Sequence, residues 1–281
     1  MRFCLAVALI FQAFCSFGSN VPDTLYINMD TTHIATYPLH FRSFNHTSSY
    51  NVQNAILHQQ TGDTIDLVVI NNDTLLHTFT IDGLITSGNT INPNDTGRFE
   101  INITQEGCYR FYSDVPYGEL LGASGILSVG YDNHPRFYWN LFDQQDTLSE
   151  EIALGMETTV PIDYTPEVFL INNLIYPATA ADTLGHVTAS VNDTVIIYMV
   201  NSGKMDHVFH FHGYHVTILG TVFNGQTGWE KDTFPIIPAD CITVRLVPDK
   251  PGTFPVHDHN LITVTTGAYP GGMITILDIA P

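Results

Sequence analysis

The two halves of the chain repeat one pattern of short apolar runs and turns. Three segments correspond: residues 62–71, 76–83 and 107–114 in the first half, and residues 192–201, 206–213 and 252–259 in the second. The middle pair reads LHTFTIDG and DHVFHFHG, with the same His, Phe and Gly at matching positions. Such internal similarity indicates two copies of one structural unit.

The repeated unit is predicted to be a sandwich of β-sheets. Short apolar runs separated by Thr, Asn, Asp and Gly are typical of strands and turns, and no long run has the helical period of 3.6. The sequence therefore predicts an all-β protein of two tandem Greek-key sandwiches, each burying one alternating face of two sheets. The predicted boundaries are residues 1–19 for a signal peptide, 20–135 for the N-terminal domain, 136–165 for a strand and linker, and 166–281 for the C-terminal domain.

The charge balance excludes some partners. The chain has 28 acidic and 9 basic side chains, a formal net charge of −19. Because nucleic acids and anionic membrane surfaces repel such a chain, we expect neither as a partner.

The N-terminus has the pattern of a secretory signal. Arg2 precedes an apolar run at residues 3–14 that is short for a membrane span. We expect a secreted protein, periplasmic or extracellular, without a membrane span. Two cysteines, Cys108 and Cys241, then remain in the mature chain, and the sequence leaves open whether they pair or stay as free thiols.

Four histidines form two i, i+2 pairs in strand-like runs: His210 with His212, and His257 with His259. Since residues i and i+2 of a strand point to the same face, each pair projects to one side. Four imidazoles suit copper, with zinc as an alternative, better than calcium or magnesium. Any single histidine is more often a hydrogen-bonded structural residue, so the pairing is the basis for predicting a metal site.

These motifs resemble those of the multicopper oxidase family, which is built of cupredoxin sandwiches. Residues 207–213 (HVFHFHG) match the family's H-P-x-H-x-H-G motif except at the Pro. Residues 251–259 (PGTFPVHDH) resemble its P-G-x-W-x-x-H-C-H segment. The resemblance covers both halves, from about residue 28 to residue 279.

The resemblance implies a role for each histidine of the motifs. His207 corresponds to a ligand of the mononuclear type 1 copper, which takes electrons from substrate. His210 corresponds to a type 2 ligand, and His212, His257 and His259 to type 3 ligands, of the trinuclear cluster that reduces dioxygen. The same resemblance implies a homotrimer, because two-domain members of the family form trimers.

The chain departs from the family at the type 1 site. Asp258 stands where the family has the Cys that anchors the copper, and Thr263 stands where its second type 1 His belongs. Met273 is at the place of the axial Met, after a longer loop. Because a blue copper site needs a soft thiolate, we expect no type 1 centre, although His207, Asp258 and Met273 are kept as further candidate ligands.

The first half departs further. Where the family has two H-x-H motifs, this half has Thr80 with Asp82, and Tyr112 with Asp114. The four-electron reduction of dioxygen is therefore expected to be lost. His77, at a type 1 position without a thiolate, is expected to be a buried hydrogen-bonded residue.

Three functions are left open by these residues. The first is a secreted copper-binding protein with a mononuclear or dinuclear site of paired histidines. The second is an active multicopper oxidase, a copper-dependent oxidoreductase. The third is a non-enzymatic secreted module for interaction or surface structure. Whether the chain is an enzyme is not decided by the sequence.

Overall fold

The computed structural model describes residues 19–86, 88–223 and 225–281. The predicted signal peptide, residues 1–19, lies outside the described residues except for Ser19. Strands dominate the described chain, and the prediction of an all-β protein is confirmed.

The first domain is a sandwich of two four-stranded sheets, with strand orders β2-β1-β4-β8 and β3-β10-β9-β6, beside a small β5-β7 pair. Its strands are β1 (Asn20–Ile34), β2 (Tyr37–Asn45), β3 (Ile56–Gln59), β4 (Thr64–Asn71), β5 (His77–Thr78), β6 (Thr80–Ile81), β7 (Thr90–Ile91), β8 (Thr96–Ile101), β9 (Gly107–Tyr112) and β10 (Ser124–Val129). A short helix, α1 (Pro116–Glu119), precedes β10. Apolar residues from both sheets, including Phe44, Phe79 and Phe111, fill the space between them.

The second domain is a larger sandwich, with strand orders β12-β11-β14-β19-β16-β17 and β13-β21-β20-β15-β18. Its strands are β11 (Arg136–Gln144), β12 (Val168–Ile171), β13 (Val187–Ser190), β14 (Val195–Asn201), β15 (His207–Phe211), β16 (Val216–Thr221), β17 (Glu230–Lys231), β18 (Thr233–Ile236), β19 (Cys241–Leu246), β20 (Gly252–Asp258) and β21 (Ile274–Ala280). A 3-10 turn covers Ala178–Ala181.

The segment predicted as a strand and linker, residues 136–165, contains two regular elements. Strand β11 pairs with β12 and β14 of the second domain. A helix that the sequence pattern did not predict, α2 (Asp146–Ala153), follows it. The helix is only eight residues long and buries Leu148, Ser149 and Ile152 on one side, so its apolar period is too short to stand out in the sequence.

The predicted repeat is visible in the backbone. Thr80 pairs opposite Tyr112 in the first domain, and His210 pairs opposite His257 at the corresponding place in the second. The motif Gly of the second domain, Gly213, has φ of 80°, a left-handed conformation that favours glycine at this turn. The two domains are therefore copies of one topology.

Strand β14 is buried on both faces and lies where the two domains meet. Every one of its residues is buried, and its sequence VIIYMVN is a continuous apolar run. Ile197 and Met199 point into the core of the second domain, whereas Ile196 and Tyr198 point into a separate cluster shared with the first. A strand covered on both sides needs no polar alternation, which explains the run.

Candidate metal centre

The four paired histidines come together at one end of the second domain. His210 on β15 lies directly opposite His257 on β20. In β15 the aromatic side chains of Phe209 and Phe211 are fully buried, while His210 on the other face is half-buried. The alternation of the strand thus directs the phenyl rings into the core and the imidazole toward the surface, as predicted.

The four rings form one cluster. The ring centroids are 4.6 Å apart for His210 and His212, 5.9 Å for His210 and His257, 5.5 Å for His210 and His259, 5.1 Å for His212 and His257, and 6.2 Å for His257 and His259. The structure therefore brings together all four residues that the spacing singled out.

Hydrogen bonds orient two of the rings. Nδ1 of His257 donates to the backbone carbonyl of Asp258 at 2.7 Å. Nδ1 of His210 lies 2.7 Å from the Thr233 hydroxyl. With Nδ1 engaged in this way, the Nε2 lone pair is left for a metal, as is usual for imidazole ligands whose other nitrogen is held by a hydrogen bond.

The surroundings of His212 favour its neutral form. Burial, and then the neighbouring imidazoles of His210, His257 and His259, lower the pKa of His212. The neutral form that results is the one that binds a metal ion.

In their present orientation, two of the four imidazoles can bind one copper ion. The Nε2 atoms of His212 and His257 are 2.9 Å apart, which is less than twice the roughly 2.0 Å imidazole–metal distance, so one ion can reach both. Among the described residues, however, no group of three or more His, Cys, Asp or Glu side chains already stands in an arrangement that could hold a metal. Binding by more than this pair requires the half-buried His210 or the exposed His259 to rotate toward it.

A mainly apolar pocket of about 360 Å³ opens onto this pair. His212 and His257 are its imidazole groups, and its other lining residues are Tyr176, Pro255, Leu261, Val264, Tyr269, Pro270, Ile274 and Ile276. Small molecules commonly bind in mainly apolar pockets with a few placed polar groups. The pocket gives such a molecule direct access to the imidazoles.

The positions that correspond to the type 1 ligands also meet in the structure. The backbone N–H of Asp258 donates to the Met273 carbonyl at 3.2 Å, and that of Met273 donates to the Thr263 carbonyl at 2.9 Å. Nδ1 of His207 lies 2.7 Å from Oδ2 of Asp258. Met273 is fully buried and packs in the core of the second domain.

A second carboxylate, which the sequence did not reveal, faces the other side of His207. Oδ2 of Asp143 lies 3.4 Å from Nε2 of His207, an ionic contact too long for a good hydrogen bond. A Cβ atom on Gly203 would lie only 1.9 Å from that oxygen. Gly203 corresponds to Asp73 of the first domain, which lies in the loop before β5 and contacts His77. In the second domain the carboxylate of Asp143, on β11, occupies that space instead.

His207 is held as a buried cation between these carboxylates. Burial opposes the charge, but the contacts with Asp143 and Asp258 outweigh it and raise the pKa of His207 to about 9. The contact with His207 likewise overcomes burial and lowers the pKa of Asp143 and of Asp258. Both ring nitrogens of His207 face oxygens and the set has no thiolate, so these residues do not fit a type 1 copper.

The first domain has a related arrangement around His77. This fully buried residue lies 2.9 Å from Ser113 through Nδ1 and 2.9 Å from Asp73 through Nε2. Nε of Arg42 donates to the same Asp73 oxygen at 2.8 Å. His77 is thus the buried, hydrogen-bonded residue that was expected.

The face of the first domain that corresponds to the histidine cluster holds other chemistry. Tyr112 donates to Asp82 at 2.8 Å, where the second domain has His257 and His212. Thr78 donates to Asp114, which stands in the place of His259. These two pairs join oxygen atoms, whereas the Thr80 hydroxyl, in the place of His210, is buried without a hydrogen-bond partner.

The second domain carries the sequence signature of a known family. Residues 154–271 match the model of the multicopper oxidase family. The match lies almost entirely in the second domain and covers less than half of the chain. The matched family is one of copper-binding proteins, and the alternative metal, zinc, has no support from the comparisons.

Solved structures of multicopper oxidases and related copper enzymes have the same fold. The blue copper oxidase from Nitrosomonas europaea is 21% identical, with a TM-score of 0.75 over 92% of this chain and 86% of that one. The copper nitrite reductase from the same organism is 16% identical, with a TM-score of 0.69 over 93% and 94%. A laccase from Botrytis aclada is 16% identical, with a TM-score of 0.72 over 93% and 53%. Comparison with curated proteins gave no match.

These likenesses confirm the cupredoxin-like fold predicted from the sequence. None of the helices in the described ranges is long and apolar enough to cross a membrane.

Proposed function

We propose that the chain is a secreted copper-binding protein of the multicopper oxidase family, without the complete four-electron oxidase activity. Its mononuclear or dinuclear site is formed by His210, His212, His257 and His259. The observation that carries the proposal is the contrast between the two copper positions of the second domain. The four imidazoles cluster with the Nε2 atoms of His212 and His257 facing each other, whereas the type 1 position is occupied by a buried ion pair.

The site would supply imidazole nitrogens to copper, and the bound ion would supply Lewis acidity or one-electron chemistry. The chain's own contribution is to fix the tautomers. The Asp258 carbonyl and the Thr233 hydroxyl hold Nδ1 of His257 and His210, and the lowered pKa of His212 keeps its ring neutral. Storage, delivery or detoxification of copper would need no more than this.

A limited copper-dependent oxidoreductase is the second candidate. The pocket of about 360 Å³ beside His212 and His257 favours it, since a site used only for storage needs no cavity for an organic molecule. A homotrimer follows from the family resemblance. It is proposed on that ground alone.

Copper titration tests the proposal. We expect the chelator-treated protein to bind one or two copper ions per chain, and the His210→Ala/His257→Ala variant to bind at least 100-fold more weakly because the facing pair is removed. Binding is measured by isothermal titration and by elemental analysis after gel filtration.

The matched control is His215→Ala, which removes an exposed histidine just beyond the motif. It should bind copper like the parent. Equal binding by the double variant and the parent would refute the four-histidine site and leave the non-enzymatic module as the function.

A further inference from the structure

The two cysteines of the described chain lie at the junction of the two domains. Cys108 is on β9 of the first domain and Cys241 is on β19 of the second, and their side chains are only 6% and 5% exposed. They belong to one apolar cluster that both domains build: Cys108, Ile126, Tyr138, Ile196, Tyr198, Val200 and Cys241. Sequence alone left their pairing open because 133 positions separate them.

Both cysteines contact the same strand, β14, from different domains. Sγ of Cys108 lies 3.6 Å from the carbonyl oxygen of Met199. Cys241 is the partner of the next residue, Val200, in the antiparallel ladder of β14 and β19. Burial first, and then the adjacent thiol of Cys241, raise the pKa of Cys108. The two thiols therefore lie beside each other across the junction.

A pocket is lined by both cysteine residues. Its volume is about 240 Å³. Besides the two cysteines its lining includes Glu106, Tyr109, Gly220 and Thr243. A small neutral reagent can enter it, whereas an anionic one is disfavoured by Glu106 and by the net charge of −19.

We propose that Cys108 and Cys241 are a redox-active pair that forms a disulfide between the two domains by exchange with a small disulfide. The thiolate of one cysteine attacks a sulfur of the small disulfide, RS–SR, and releases one RSH. The other cysteine then attacks the mixed disulfide, forms the Cys108–Cys241 bond and releases the second RSH. Two protein thiols are oxidised, one small disulfide is reduced, and both protons end on the released thiols.

The burial of the pair determines how the reaction behaves. Because the thiolate is the nucleophile and burial disfavours it, exchange should be slow near pH 7 and faster at pH 8.5. The product closes a long loop across two domains, so it should raise the temperature of unfolding by roughly 10 °C. The pair is separate from the histidine cluster and needs no copper.

The test uses the full chain with Cys4→Ser and Cys15→Ser, which leaves this pair as the only cysteines. The folded protein is treated at pH 8.5 with bis(2-hydroxyethyl) disulfide, quenched with acid and denatured. We expect titratable thiols to fall from two to zero per chain. Peptide mapping should then recover one species that joins the Cys108 and Cys241 peptides, and dithiothreitol should reverse the change.

Single Cys108→Ser and Cys241→Ser variants in this background are the controls. Each should keep one thiol or carry one 2-hydroxyethylthio group as a mixed disulfide, with no rise in unfolding temperature. The proposal is overturned if the parent keeps both thiols, carries two separate adducts, or cross-links only between chains. Each of these outcomes is measured on the parent itself. The test therefore decides the proposal even if a serine variant fails to fold.

Discussion

At the scale of single residues, His207 shows how one side chain changes its chemistry with its neighbours. The family resemblance assigns it to a copper, but here Nδ1 meets Asp258 and Nε2 faces Asp143. A buried charge is tolerated only when it is paired, and removing one partner of a buried pair usually costs about 3–5 kcal/mol. His207 is therefore part of the support of the second domain, three residues before the candidate copper ligand His210 on the same strand.

The raised pKa of His207, about 9 against the usual 6.5, makes stability depend on pH. A pKa raised by folding stabilises the protein fully below pH 6.5, and this stabilisation is lost as the pH rises through 9. We expect the free energy of unfolding of the metal-free protein to fall by about 3 kcal/mol over this range. Urea unfolding at several pH values measures it.

Nitrogen NMR of the imidazoles gives an independent reading of the same prediction. The His207 ring should remain protonated on both nitrogens at pH 7.5, whereas His212, whose pKa is lowered, should be neutral. A neutral His207 at that pH would contradict the ion pair.

At the scale of elements, β18 orients a candidate metal ligand of its neighbour β15. Thr233 pairs opposite His210, and its hydroxyl lies against Nδ1 of that ring. We expect Thr233→Val to weaken copper binding about 10-fold, because the ring loses the partner that fixes its tautomer and orientation. Thr188→Val, at an exposed site on β13 of the same sheet, should leave the affinity unchanged in the same titration. Equal losses in the two variants would point to a general effect on the sheet.

Strand β14 carries a second prediction at this scale, because its two faces support different parts of the molecule. Ile197 faces the core of the second domain and Ile196 faces the junction. Both are nearly fully buried, so Ile→Ala at either position should lower the free energy of unfolding by about 2–5 kcal/mol. A loss below about 0.5 kcal/mol for Ile196→Ala, measured in urea, would mean that the junction is loosely packed.

At the scale of the whole molecule, the two domains carry different groups at corresponding positions. The second domain has imidazoles, and the first has side chains that pair through oxygen atoms. Tyr112 with Asp82 in the first domain replaces the His257 and His212 of the second. Even in a trimer, a neighbouring first domain would bring Asp82 or Asp114 to the cluster. On the proposed function, the complete ligand set for dioxygen reduction is then missing.

We therefore expect the copper-loaded protein to show no intense absorption near 600 nm and no dioxygen uptake in the presence of a phenolic or metal-ion reductant. An oxygen electrode and a visible spectrum measure both. Strong blue absorption together with uptake of one dioxygen per four electrons would contradict the proposed function and support an active oxidase.

The sequence by itself determined the features that depend on local order. Alternation within strands and the repeated turn residues fixed the all-β class and the two related domains, and they placed His210, His212, His257 and His259 on shared faces. Tertiary structure alone decided what meets across long separations. Asp143 reaches His207 from a strand 64 positions away, and Cys108 reaches Cys241 across the domain junction. Those contacts arise from how sheets and domains pack, and no local period in the sequence records them.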